Sequence, residues 1–153
     1  MSTSRKLLAL AMLLSGAVTA YGQPAPKGPL DRDVSASLTG NKEIPPTPST
    51  AKGELKGILT MATREFRWTL TCSGLTGPVT ASHFHGPASE DKNANVALPL
   101  AGDCSVSPVE GTVVLEPDSF TNLLEGKWYI NVHTAQFPNG EIRGQVAVIR
   151  RGD

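Results

Sequence analysis

Apolar and polar residues alternate along most of this chain, in runs too short for helices. The clearest run is Glu65-Phe66-Arg67-Trp68-Thr69-Leu70-Thr71-Cys72, in which Phe66, Trp68 and Leu70 share one face of a strand. Val34-Ser35-Ala36-Ser37-Leu38 has the same period of two, and residues 53–62, 80–85, 95–100 and 111–115 read as further strands. Turn-forming clusters separate them: Pro45, Pro46 and Pro48, then Gly74 to Pro78, then Gly86-Pro87. Residues 118–126 alone read as a helix, with Asp118 as its N-cap and Gly126 as its terminator. Residues 128–134 and 141–149 predict a closing hairpin around Phe137-Pro138-Asn139-Gly140. Many short strands, frequent turns and one short helix predict an all-β sandwich or barrel.

The first residues change the picture from fold to compartment. Arg5 and Lys6 precede the apolar run Leu7 to Leu14, and small residues follow up to Gly22. That order reads as a secretory signal peptide over residues 1–22, cut after Ala20 or Gly22, and too short for a membrane anchor. Residues 23–32 are proline-rich and aperiodic, a flexible linker. Of the 14 basic and 14 acidic residues, the leader holds two basic ones, so the rest of the chain is slightly acidic. No basic patch stands out, which argues against nucleic acid or an anionic membrane as partner. Outside the cytoplasm the two cysteines, Cys72 and Cys104, are expected to form one disulfide. The alternative is thiolate ligation of a metal, for which the C-x-x-C spacing is missing.

Candidate chemistry rests on the three histidines, His83, His85 and His133. His83 and His85 are two apart, so one strand presents both imidazoles on one face, opposite Phe84. In residues 128–134 the apolar face is Trp128, Ile130 and Val132, which leaves Tyr129, Asn131 and His133 on the other. All three histidines therefore take non-core faces, and they converge only if their strands adjoin or a loop brings them together. Three neutral imidazole nitrogens suit copper or zinc. Glu141, expected across a tight hairpin from Thr134 and His133, is a candidate fourth ligand or a carboxylate orienting a histidine ring; the alternative is an ion pair with Arg143 or another surface base. A hydrolase built on His133 with Ser82 or Thr134 finds no Gly-x-Ser-x-Gly elbow in the chain.

Three phrases carry a family resemblance. They are Leu38-Thr39-Gly40-Asn41-Lys42-Glu43-Ile44-Pro45-Pro46, then His83-Phe84-His85-Gly86-Pro87-Ala88, then Tyr129-Ile130-Asn131-Val132-His133-Thr134 followed by Phe137-Pro138-Asn139-Gly140-Glu141-Ile142-Arg143-Gly144-Gln145. In that order they resemble the CHRD domain, named after chordin, over residues 33–149, which sets the domain at 33–150. The resemblance implies an immunoglobulin-like, Greek-key β-sandwich, faintly similar to Cu/Zn superoxide dismutases. In that enzyme class a His-x-His on a strand supplies two copper ligands, a pattern that His83 and His85 match. Three histidines are too few for a copper site plus a histidine-bridged zinc site. What remains is a secreted or periplasmic domain holding a single copper, with zinc second, through His83, His85 and His133. Dismutase-like redox activity ranks well below simple metal holding. The competing reading is a non-catalytic structural or protein-interaction domain whose histidines are hydrogen-bonding brackets.

Overall fold

The computed structural model describes residues 30–150. The signal-peptide reading of residues 1–22 and most of the linker lie outside the described residues. Nine strands and one helix follow in order: β1 Arg32–Thr39, β2 Lys52–Thr60, β3 Glu65–Ser73, β4 Val79–His85, β5 Val96–Leu100, β6 Val109–Val114, α1 Pro117–Leu124, β7 Tyr129–Thr134, β8 Ile142–Gln145 and β9 Ala147–Arg150. The all-β expectation with one short helix holds, and β1 starts at Arg32, inside the tail of the proline-rich segment. Among the described residues no helix is long and apolar enough to cross a membrane.

The strands pair in the order β5-β4-β7-β8-β1-β2-β3-β6, every pair antiparallel, with β9 added beside β1. β1 is the seam. Arg32 to Ser35 pair with β9, whereas Thr39 at its other end meets Arg143 of β8. The strands on either side of that seam fold over one another as two layers. Phe84 of β4 packs edge-on against Phe66 and Trp68 of β3, at ring separations of 5.4 and 5.7 Å. Trp128 closes the same cluster at 5.8 Å from Phe84. These inward residues are the apolar halves of the alternating runs, so the period of two becomes the two faces of a sandwich. The chain crosses between layers from β3 to β4, from β5 to β6 and from β6 through α1 to β7, the crossings of a Greek key.

Cys72 and Cys104 form the expected disulfide. It ties the end of β3 to the crossing between β5 and β6, and the Cys72 amide also donates to the Cys104 carbonyl at 2.8 Å. Closing a segment with a sequence separation of 32 stabilises the fold by roughly 3–4 kcal/mol on chain-entropy arithmetic.

Two local expectations are corrected. The helix is not capped by Asp118: its N-cap position is Glu116 and Pro117 is its first residue. Proline has no N–H to lose there and its φ is already helical, so the helix starts earlier, with the Asp118 charge inside the first turn. Gly126, at φ +70°, follows the helix end as expected. The single return strand over residues 141–149 is in fact two. Between β8 and β9, Val146 turns its side chain into the core and donates its N–H to the Trp128 carbonyl at 2.9 Å. That break lets the chain leave β7 and join β1 in the opposite layer.

Candidate metal centre

β4 and β7 are neighbours, the adjacency that the sequence could not supply. Their register sets Ala81 against His133 and His83 against Asn131, so His133 is the diagonal neighbour of His83 on one sheet face. Phe84 points into the core between His83 and His85. The three imidazoles therefore converge: His83 Nδ1 lies 3.3 Å from His133 Nε2, and one ring nitrogen from each histidine falls within 4.8 Å of the others.

The second nitrogens of two of these rings are committed elsewhere. His85 Nδ1 lies 3.0 Å from the Ala94 carbonyl oxygen, and His133 Nδ1 lies 2.9 Å from that of Pro138. A carbonyl only accepts, so each Nδ1 carries a proton, and a ring with that one proton keeps its lone pair on Nε2. Burial pushes the pKa of both His83 and His85 down. The His133 imidazole and then His85 add to that at His83. At His85, the Ala94 carbonyl and the Asn131 amide oxygen oppose it, because both favour the protonated ring. Neutral imidazoles with lone pairs turned toward one point are what a divalent ion needs.

The face bearing the site is not open to solvent as a plain outer face would be. Residues 86–95 fold back over it, and Tyr129, Asn131 and His85 are all buried beneath. The Tyr129 ring stacks on His85 at 4.7 Å with an interplanar angle of 2°, and the Arg143 guanidinium sits 3.5 Å over the same phenol ring. Arg143 donates to Asn93 Oδ1 and to the Lys92 carbonyl, each at 2.7 Å, which fastens the loop that carries Ala94. Tyr129 accepts the Ala94 N–H at 3.1 Å.

Glu141 meets Thr134, as the hairpin predicts, but the structure does not bring it to His133. Its carboxylate accepts from Thr134 Oγ1 at 2.6 Å, from Ser49 Oγ and Thr76 Oγ1 at 2.8 Å, and from the Thr76 N–H at 3.0 Å. Nor does it pair with Arg143. The polar residue that does reach the histidines is Asn131, whose Oδ1 lies 3.0 Å from Nε2 of both His85 and His133. The alternation of β7 places Asn131 on the histidine face. What the sequence does not give is its neighbour across the strand pair.

Glu43 backs Asn131 from the loop after β1. Burial pushes its carboxyl up to about 7, against the pull of Arg143 and of hydrogen bonds to Ile44 and Asn131. A folded pKa raised above the ordinary value of 4.5 means that stability falls as the pH climbs from about 4.5 to about 7. Glu43→Gln is expected to remove that loss. It should match the parent near pH 4 and exceed it by about 1–3 kcal/mol at pH 8, read by urea unfolding at both pH values. Equal pH dependence in the two proteins would refute the assignment.

The strand register, the His-x-His on β4 and the asparagine–histidine pair on β7 all lie within one matched region. The CHRD domain matches the chain over residues 34–146. Searches of curated proteins and of solved structures gave no match. With most of its length matched, the chain belongs to the CHRD domain family.

Proposed function

We propose that this domain holds a single transition-metal ion, copper before zinc, on His83, His85 and His133, and that it works outside the cytoplasm. The observation carrying this reading is the pair of backbone anchors, Ala94 to His85 and Pro138 to His133, which leave both Nε2 atoms facing the cluster that His83 completes. Ligating histidines commonly donate their other N–H to a carbonyl or carboxylate in this way. With both cysteines in a disulfide, no thiolate competes and the donors are imidazole. Such a set takes Cu(II) more tightly than Zn(II) in the usual order of divalent affinities. The disulfide and the leader-like residues 1–22 support an oxidising, extracytoplasmic setting.

Calorimetric titration of the chain from residue 23 with Cu(II) and Zn(II) tests the reading. One ion per chain is expected, and binding should be lost in a His83→Ala/His133→Ala variant. A second reading has one observation in its favour: the same anchors tie two loops to the sheet, as purely structural brackets would. In that case the variant loses thermal stability and the parent binds no metal.

A further inference from the structure

We propose that Asn131 supplies a fourth donor, its side-chain amide oxygen, to the ion held by the three histidines; the inference rests on that metal-holding reading. Asn131 Oδ1 stands 3.0 Å from His85 Nε2 and 3.0 Å from His133 Nε2, and His83 Nδ1 stands 3.3 Å from His133 Nε2. Donors bound at about 2.0–2.1 Å to one ion, with bond angles of about 90–109°, lie about 2.9–3.4 Å apart. These three separations fall in that range, and the three histidine nitrogens as a set lie within 4.8 Å of one another, so the wider pair must close on binding.

The protons point the same way. With their Nδ1 protons given to Ala94 and Pro138, the neutral rings of His85 and His133 each offer only an acceptor at Nε2. An amide oxygen is also only an acceptor. The short His85–Asn131 and His133–Asn131 approaches therefore bring lone pairs face to face, an arrangement that a cation at their common point would satisfy. The other end of the amide, Nδ2, faces the Glu43 side chain, where both crowd Gly140 and where Asn131 favours the charged carboxyl. Packing tightens the hold: a Cβ at position 140 would fall 2.3 Å from Glu43 Oε1 and 2.9 Å from Asn131 Nδ2. Gly140, at φ +124°, leaves that room.

The result is a donor set of three nitrogens and one oxygen. An uncharged oxygen donor is harder than sulfur or imidazole and favours divalent Cu(II) or Zn(II) over Cu(I). The site then acts as a holder of divalent metal more than as a centre cycling between copper oxidation states.

The test compares the parent chain with Asn131→Leu and Asn131→Asp, each titrated with Zn(II) and Cu(II) in the calorimeter. Asn131→Leu is expected to keep one ion per chain and to bind it about 10–100-fold more weakly. Asn131→Asp, which keeps an oxygen at the same place, should bind at least as tightly as the parent. A separate measurement needs no variant. Loading the ¹⁵N-labelled parent with Zn(II) should shift the Asn131 side-chain amide signals together with those of the three imidazoles. Parent-like affinity in Asn131→Leu, or imidazole shifts with an unmoved Asn131 amide, would overturn the fourth donor and leave the three-histidine site standing. A parent chain that takes up neither ion would overturn both.

Discussion

Arg143→Leu is expected to destabilise the domain by about 3–5 kcal/mol, because it removes a buried cation whose partners stay behind. Arg143 is 1 % exposed. Its loss leaves the Lys92 carbonyl and Asn93 Oδ1 without their donor and takes away the cation that faces Glu43. It also uncovers the Tyr129 ring, whose far face supports His85. The loop that Arg143 fastens carries Ala94, and Ala94 orients His85, so the effect extends to the three-histidine cluster. Zn(II) affinity should fall in the variant even under conditions where it is fully folded. Arg143→Lys separates charge from shape. It keeps a cation but has no planar fork to reach Asn93 and Lys92 together, so it should fall between the parent and the leucine variant. Urea unfolding with a parallel Zn(II) titration reads both effects. A leucine variant within about 0.5 kcal/mol of the parent, the range of an ordinary surface change, would show that the stack and loop clamp carry no weight.

Strand identity was legible because it is local. Phe66, Trp68 and Leu70 declare their common face within six residues, and the structure buries all three. The placing of His83 and His85 opposite Phe84 follows from the same rule. Pairing is not local, and nothing in the residues of β4 says that β7 rather than β3 lies beside it. The convergence of His83 with His133 therefore had to come from the structure. Strand ends were the next limit. A period of two runs unbroken from Ile142 toward Ile149, yet Val146 is drawn into the core and the strand changes layer there. Glu141 marks a third limit. Extrapolated from Arg143 and Gln145 it belongs on the histidine face, but it lies before β8 begins, where the pleat no longer dictates direction. Three hydroxyl groups from other parts of the chain then decide where its carboxylate goes. Asn131 was visible as a member of the histidine face, but the meaning of its amide depends on Glu43, which is far from it in sequence.

Glu141→Ala should cost about 3–5 kcal/mol, since several buried donors lose one acceptor at about 1–3 kcal/mol each and two of the hydroxyls can partly satisfy one another. Those two are Thr76 and Thr134, whose oxygens already lie 3.2 Å apart. Glu141 is fully buried, and its carboxylate links the loop before β2, the turn after β3 and the end of β7. Glu141→Gln keeps the shape and one acceptor oxygen, and about 1–2 kcal/mol is expected for the charge-assisted bonds it gives up. The pH dependence distinguishes this acid from Glu43. Burial alone would raise the Glu141 carboxyl, but the hydrogen bonds from Thr134, Ser49 and Thr76 outweigh it and hold the pKa below the ordinary value of 4.5. A depressed folded pKa adds stability that is present above about 4.5 and lost as the pH falls through the folded value. Glu43 has the opposite sign and acts above pH 4.5. The difference in unfolding free energy between the parent and Glu141→Gln should therefore shrink as the pH is lowered from 5 to 3. That between the parent and Glu43→Gln should open only between about 4.5 and 7. If the Glu141→Gln difference stays constant down to pH 3, the folded carboxyl is not depressed, and if it widens instead, the four bonds to it are those of a neutral acid.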